Sequence, residues 1–255
     1  MDVADLLLAP HASLFTLAIA AGVLLLAYFV RGISGFGSGL IAVPLLALSL
    51  PLTFVVPLIL LTDFTASMVL GGRNRKLVNW DELKPLFPGS VVGVLLGASL
   101  LLSVPREPLL TALSVFVCAF ALRNLFNLHG DKPISRWWAL PASLTGGTVG
   151  ALFGTGGPPY VIYFSHRIRD KGVFRATTSA LFIMEGCLRG LVFLATGLLL
   201  QPGIWWAYLG ALPIMALGLW LGSHAHVGLS NAQMARIIGA LLLLSSLSLL
   251  WKAWH

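Results

Sequence analysis

The stretch Gly35-Phe36-Gly37-Ser38-Gly39-Leu40-Ile41-Ala42-Val43-Pro44 decides the fold of this chain, and a second stretch, Gly154-Thr155-Gly156-Gly157-Pro158-Pro159-Tyr160, accompanies it. Both are rich in glycine and have apolar sequence on either side. Glycine clusters have low helix propensity and leave backbone polar groups without intrahelical partners. In hydrocarbon, such breaks are tolerated only where the backbone is buried in protein or lines a polar cavity. Two breaks, one in each half of the chain, indicate a substrate path.

The composition is that of a polytopic membrane protein. The chain has 255 residues, of which 58% are hydrophobic and only 10% are charged. Soluble domains carry about 25% charged residues, so this chain lacks the charge to cover a soluble surface. The net charge of +7 does not indicate a nucleic-acid partner, because the Lys and Arg residues concentrate in a few short loops. We therefore expect an all-α protein whose partners are the lipid bilayer and a small substrate.

Ten apolar segments can be marked, and two of them are too short to cross a membrane. They run at about 14–30, 38–50, 53–71, 86–103, 108–127, 137–153, 158–167, 174–199, 204–222 and 235–252. The segments that follow the glycine stretches have about 13 and 10 residues, hence about 20 and 15 Å of helix, whereas the hydrocarbon core is about 30 Å thick. The sequence predicts 8 to 10 membrane segments, with a half-helix or re-entrant loop at each glycine stretch.

An internal repeat indicates two related halves. The pattern W-x7-P-x4-G-x3-G occurs at Trp80, Pro88, Gly93 and Gly97 and recurs 125 positions later at Trp205, Pro213, Gly218 and Gly222. The glycine stretches recur at a spacing of 119 positions. We expect a first membrane repeat at residues 1–130 and a second at 131–255, integrated in one transmembrane domain. Each half holds five segments, and because five is odd, the second half is predicted to be inverted relative to the first.

The basic loops predict the orientation in the membrane. Three loops carry most of the cations: Arg73, Arg75, Lys76 and Lys84; Arg123, Lys132 and Arg136; Arg167, Arg169, Lys171 and Arg175. If all three are cytoplasmic, both termini lie outside, which agrees with the acidic start Met1-Asp2-Val3-Ala4-Asp5. That start lacks the basic region of a cleaved signal peptide. The predicted location is a multi-pass position in the cell membrane, specifically a bacterial inner membrane.

Three features together match a known family. The glycine stretch is duplicated, Val43-Pro44 follows its first copy, and Arg73-x-x-Lys76-x-x-x-Trp80 leads into a helix rich in Pro and Gly. With these features the chain resembles the sulfite exporter TauE/SafE family of membrane transporters over nearly its whole length. Phe36, Ser38 and Pro158-Pro159 depart from the family pattern. The resemblance implies a transporter of sulfite, sulfonates or related sulfur-containing anions.

Charges within apolar segments are candidate functional groups, since each costs about 2.5–3.5 kcal/mol on insertion scales. Glu185 and Arg189 lie four residues apart, on one helix face and in the order that favours a pair. Either they form a self-neutralised structural pair, or Arg189 attracts an anion while Glu185 balances the charge or accepts a proton. Asp63 occupies the corresponding segment of the first half. It is either a structural carboxylate or a coupling residue.

The glycine stretches and Arg31 supply the other candidates. Arg31 either extends its side chain to the cytoplasmic boundary or recruits anions in a vestibule. Half-helix N-termini favour anions by about 0.3–1 kcal/mol when exposed and up to ~2 kcal/mol when partly buried, although the glycines could instead serve only close helix packing. The predicted substrate-binding residues are Arg31, Ser34, Gly35, Gly37, Ser38, Gly39, Gly154, Thr155, Gly156, Gly157 and Arg189.

Other function classes find less support in the sequence. No HExxH, GxSxG, G-x-G-x-x-G or P-loop motif is present, and the carboxylates are few and lie mostly in loops. We therefore expect neither an enzyme nor an ATP-driven pump, and no metal or other cofactor. Two alternatives stay open, a passive anion channel and a transporter of an unrelated small organic anion. The sequence leaves the transport direction, the coupling proton or ion and the oligomeric state undetermined.

Overall fold

The computed structural model describes residues 12–71, 75–126, 134–225, 239–240, 242–248 and 251, and within these ranges it contains helices and no strand. The helices are α1 Ala12–Ser34, α2 Ser38–Ala47, α3 Leu52–Gly71, α4 Trp80–Leu83, α5 Phe87–Ser103, α6 Arg106–Leu125, α7 Ala139–Phe153, α8 Gly157–Arg167, α9 Lys171–Ala195 and α10 Ile204–His224. Short 3-10 turns occur at Arg75–Leu77, Lys84–Leu86, Arg136–Trp138 and Leu198–Leu200. The described residues between 239 and 251 are also helical.

The helix lengths and their apolar surfaces are those of a membrane protein. Five stretches of the described chain are long and apolar enough to cross a bilayer: Thr16–Ser34, Leu52–Leu70, Trp80–Ser103, Lys171–Ala195 and Ile204–His224. Large apolar side chains such as Leu191 and Trp206 are 68% and 79% exposed, which suits a surface in contact with lipid. The prediction of an all-helical membrane protein is confirmed. The count of eight to ten segments, the inversion of the halves and their boundaries stay predictions. Both termini, Arg73 and Lys132 lie outside the described residues.

Two short helices begin at the glycine stretches. Helix α2 has 10 residues and helix α8 has 11, so they extend for only about 15 and 17 Å. Helix α2 starts at Ser38, directly after Gly37, which has a φ of 95°. Such a positive φ favours glycine, because a Cβ is strained in that backbone conformation. Helix α8 starts at Gly157, and Pro158 occupies its first turn, where proline costs no hydrogen bond.

Side chains fix the carboxyl ends of both short helices. At the end of α2, Arg106 Nη2 donates to Ala47 O at 3.2 Å. At the end of α8, the buried Glu82 accepts from Arg167 Nη2 at 2.6 Å, from Arg136 Nε at 3.3 Å and from Tyr163 OH at 2.7 Å. Cations at a helix carboxyl end also complement the helix dipole. Because both helices are short and rigid, contacts at their carboxyl ends also fix the positions of their amino ends, where the glycine stretches lie.

Two close helix pairs form the frame around the short helices. A Cβ added at Gly93 or Gly97 of α5 would collide with the backbone of α7, and one added at Gly218 or Gly222 of α10 would collide with the backbone of α1. Small residues of this kind allow membrane helices to approach closely. These four glycines are the ones in the repeated W-x7-P-x4-G-x3-G pattern. Each copy of the pattern therefore packs on the helix that leads into the glycine stretch of the other half.

Helices α3 and α9 pack against each other in opposite directions. The backbone N–H of Asn79, which follows α3, donates to Thr177 Oγ1 near the start of α9 at 2.9 Å. Gln201, which follows α9, donates through Nε2 to Thr53 O near the start of α3 at 2.9 Å. The residues that follow each helix thus contact the first turns of the other helix. The two connections lie at opposite ends of this antiparallel pair.

This arrangement predicts that the connections after α3 and α9 face opposite sides of the membrane. Lys76 and Pro202 are exposed residues in these connections, and the 25 residues of α9 between them span about 37 Å. In a variant without Cys118 and Cys187, we expect single cysteines at Lys76→Cys and Pro202→Cys to react with an impermeant maleimide from opposite sides. The parent without cysteines is the control, and labelling of both positions from one side would contradict this topology.

Candidate functional site

The two glycine stretches touch each other in the centre of the bundle. A Cβ added at Gly39, in the first turn of α2, would collide with the carbonyl oxygen of Gly154. Gly154 ends α7 with a φ of 65°, a backbone conformation that favours glycine. Gly156 in turn lies so close to the backbone of α7 that a Cβ there would collide with Gly146 O and Gly150 Cα. The glycines therefore permit a contact between the halves that side chains would prevent.

A small cavity lies at this contact and takes residues from both halves. Its lining comprises Arg31, Gly37, Gly39, Leu40, Asp63, Gly154, Thr155, Gly156, Gly157, Pro158, Phe182, Glu185 and Arg189. About 20 Å³ is open to the centre of a water-sized sphere, which is little more than a single water molecule needs. The cavity in this conformation therefore has room for little more than one water molecule.

A network centred on Arg31 and Asp63 forms one wall of the cavity. Arg31 Nη1 lies 2.6 Å from Asp63 Oδ1, and its guanidinium also donates to Ser38 Oγ at 2.8 Å and Ser67 Oγ at 2.6 Å. Asp63 Oδ1 accepts further from Tyr28 OH at 2.8 Å and from Ser38 Oγ at 2.7 Å. Arg31 is only 2% exposed, so it pairs within the bundle and does not extend to an exposed boundary. Its positive charge is compensated by the Asp63 carboxylate.

Glu185 and Arg189 of α9 also line the cavity. Glu185 Oε1 accepts a short hydrogen bond from Tyr160 OH, and the Tyr160 hydroxyl also lies 2.7 Å from Ser90 Oγ of α5. Arg189 Nη1 donates to Gly150 O of α7 at 2.8 Å. Among the described residues, no ion pair within 4.0 Å joins Glu185 to Arg189. Each of the two side chains instead bonds to a different helix.

Polar atoms without a hydrogen-bond partner concentrate at the cavity. In the described part of the chain, five buried side-chain polar atoms have no partner, and four of them belong to cavity residues: Arg31 Nε, Thr155 Oγ1, Glu185 Oε2 and Arg189 Nε. Buried polar atoms are almost always bonded, so such a cluster needs an explanation. Two guanidinium N–H groups and a hydroxyl form a set of donors that suits the oxygens of an anion.

Ten of the thirteen residues that the sequence singled out for binding or coupling line this cavity: Arg31, Gly37, Gly39, Asp63, Gly154, Thr155, Gly156, Gly157, Glu185 and Arg189. Ser38 lies behind the lining and bonds to Arg31 and Asp63. Ser34 bonds to the backbone of Val30 and Phe36 instead. Gly35, whose φ is 86°, is next to Arg175. Ser34 and Gly35 are not part of the lining.

Sequence reasoning missed three aromatic residues of the site. Tyr28 and Tyr160 are fully buried and bond to the two carboxylates Asp63 and Glu185. A tyrosine within an apolar segment needs a partner for its hydroxyl, and this signal was present in the sequence. The Phe182 ring lies 5.5 Å from Arg31 Cζ, a cation–π distance. Nothing in the sequence distinguishes Phe182 from other apolar residues of α9.

Gly39→Ala is expected to destabilise the protein, because the new methyl group would overlap the backbone of Gly154. Overpacking of this kind costs about 1–3 kcal/mol, measurable as a lower unfolding temperature in detergent. The matched control is Gly210→Ala on α10, where a Cβ meets nothing within 4 Å. Alanine has the better helix propensity, so Gly210→Ala should be neutral or stabilising. Equal stability of Gly39→Ala and the wild type would refute the close contact of the two stretches.

Comparisons with known proteins agree with the resemblance noted in the sequence. The chain is 28% identical over 201 residues to the "Probable inner membrane transporter protein TsaS" of Comamonas testosteroni, a match that covers 78% of this chain and 83% of the relative. No solved structure matches the chain significantly. The family described as "Sulfite exporter TauE/SafE" matches residues 19–249, which include both glycine stretches and the whole cavity lining. The chain therefore belongs to the sulfite exporter TauE/SafE family of membrane transporters.

Proposed function

We propose that this chain carries a small anion across the bacterial inner membrane through the cavity between the two glycine stretches. The observation that carries the proposal is the cluster of donors without partners: Nε of Arg31, Nε of Arg189 and the hydroxyl of Thr155. An anion with several oxygens would satisfy all three. The family description and the name of the relative favour a transporter, and the family description favours sulfite or a related sulfur oxyanion.

The charges around the cavity favour a monoanion. Arg31 and Arg189 contribute two positive charges, and Asp63, paired with Arg31, contributes one negative charge. With Glu185 neutral, the lining carries one net positive charge, which a single negative charge balances. A buried charge without a counter-charge is costly. Sulfite in its singly protonated form and organic sulfonates are both monoanions with at least two acceptor oxygens.

We propose further that transport proceeds by alternating access of two inverted halves, residues 1–130 and 131–255, with both termini outside. Support comes from the exchanged packing of the two W-x7-P-x4-G-x3-G helices on α1 and α7. The reciprocal contacts Asn79–Thr177 and Gln201–Thr53 also relate the halves to each other. The small volume of the cavity is consistent with a closed state between the two open ones.

The experiment that tests the proposal is uptake of radiolabelled methanesulfonate and sulfite by liposomes that contain the purified protein. A carrier should show saturable flux and counterflow, that is, faster entry of labelled anion when unlabelled anion is inside. Acetate should compete less well, because its two oxygens satisfy fewer of the donors. Flux that does not saturate and shows no counterflow would indicate the alternative, a passive channel. Binding can be checked separately, because a ligand at 100 times its Kd stabilises the protein by about 2.7 kcal/mol.

A further inference from the structure

In the described chain, Glu185 differs from Asp63 and Glu82 in having no cationic partner. Asp63 and Glu82 each lie within 2.6 Å of a guanidinium nitrogen, whereas Glu185 has no cationic nitrogen within 4.0 Å. It is 1% exposed, its Oε1 accepts from Tyr160, and its Oε2 has no partner at the cavity. An ionised carboxylate in such a place is unfavourable, and a buried carboxyl group without a counter-charge becomes neutral by binding a proton.

The surroundings of Glu185 contain few other charges. Arg189 lies one turn further along α9, and Tyr160 faces Glu185 from α8. Arg31 of α1 and Asp63 of α3 line the same cavity. Helices α5 and α7 also pack in this region, but neither contains a charged residue. The protonation of Glu185 therefore decides whether the cavity has a net charge of one or of zero.

We propose that Glu185 binds a proton that is transported together with the anion, one proton for each monoanion. The inference rests on the proposed function and assigns the coupling ion of that site. A proton from water binds to Oε2, and the resulting O–H donates to an oxygen of the anion beside the donors of Arg189 and Thr155. When the proton leaves on the other side of the membrane, Oε2 becomes negative and repels the anion, which is released.

Asp63, the other carboxylate at the cavity, is not suited to this role. Its Oδ1 forms an ion pair with Arg31 Nη1 at 2.6 Å and accepts hydrogen bonds from Tyr28 OH at 2.8 Å and from Ser38 Oγ at 2.7 Å. This oxygen is thus already engaged in an ion pair and two hydrogen bonds, whereas Glu185 Oε2 has no partner. To take up a proton, Asp63 would have to lose its ion pair and leave Arg31 uncompensated. The structure thus divides the two carboxylates between a fixed counter-charge and a proton-binding group.

The test uses methanesulfonate, which remains a monoanion over the whole pH range of the measurement. At a pH high enough to ionise Glu185 in the free protein, we expect the wild type in detergent to take up a proton when methanesulfonate binds. In that range its Kd should rise with pH by up to about tenfold per unit, since protonation and anion binding favour each other. Glu185→Gln should bind methanesulfonate as tightly as the wild type does at low pH, with no dependence on pH and no proton uptake. The control His166→Gln replaces a histidine of α8 that is not part of the cavity lining, and it should retain the pH dependence.

Two results would overturn the assignment. The first is binding of methanesulfonate to the wild type without proton uptake at any pH of the series, and the second is an unchanged pH dependence in Glu185→Gln. If Glu185→Gln does not fold, Glu185→Met takes its place, and proton uptake by the wild type decides the question independently. A wild type that binds neither methanesulfonate nor sulfite would refute the proposed function itself, whereas pH-independent binding refutes only the proton site.

Discussion

Arg189→Gln is expected to abolish anion transport while leaving the protein folded. Arg189 is 5% exposed, and its Nε lies at the cavity without a partner. Unlike Arg31, it has no carboxylate within 4.0 Å in the described chain, so its charge is free to attract an anion. A hydrogen bond to a charged group contributes about 1.5–3 kcal/mol, so methanesulfonate binding should weaken by about 10- to 150-fold. The variant loses the hydrogen bond to Gly150 O, but this oxygen keeps its bond from Gly154 N and glutamine brings no unpaired charge into the bundle, which is why the fold should persist.

Two further variants make the result specific. Arg123→Gln removes a partly buried arginine of α6 that is not part of the cavity lining, and it should bind methanesulfonate normally. Arg189→Lys keeps the positive charge but loses the planar guanidinium, so its affinity should lie between those of the wild type and Arg189→Gln. If Arg189→Gln binds methanesulfonate normally and loses only thermal stability, Arg189 serves to hold α9 against α7 and the anion binds elsewhere.

Much of the helix plan could be predicted because it depends on local sequence. Glycine clusters break helices wherever they occur, so the starts of α2 and α8 coincide with the two quoted stretches. Apolar runs of sufficient length are helical in a membrane, because every backbone group must be bonded within the segment. The charged residues of the apolar segments were recognisable for the same reason, since a charge in hydrocarbon is costly and is kept for a purpose.

The pairing of the charges could not be predicted from the sequence. Glu185 and Arg189 have the spacing of a helical pair, yet each bonds to another helix, whereas Arg31 and Asp63 lie 32 positions apart and form the ion pair. The separation of two residues along the sequence predicts whether they share a helix face. Contacts between different helices depend on how the helices pack, which the sequence does not give. Likewise, the repeat of W-x7-P-x4-G-x3-G was visible, but the exchange of partners between the halves required the tertiary structure.

Removal of the Asp63 carboxylate is expected to cause the largest loss of stability. In Asp63→Leu, Arg31 would remain charged and buried without a counter-ion, and breaking a buried pair in this way costs about 3–5 kcal/mol. Arg31→Met should cost less, because the Asp63 side chain is 15% exposed and would keep its hydrogen bonds from Tyr28 and Ser38. The Arg31 side chain, by contrast, is only 3% exposed, and a guanidinium stays protonated in proteins. The measurement is the free energy of unfolding in mixed detergent micelles.

The double variant Arg31→Met/Asp63→Leu separates stability from transport. In the double variant no unpaired charge is buried, because Met and Leu replace both members of the pair. Most of the stability lost in Asp63→Leu should therefore return. The coupling energy of the cycle is then of order 0.5–3 kcal/mol, as for residues in direct contact. We nevertheless expect the double variant not to transport the anion, because it lacks the Nε donor of Arg31. If the losses of stability in the two single variants simply add in the double variant, Arg31 and Asp63 do not act as a pair. The net charge of the cavity, which was derived from this pair, would then be wrong.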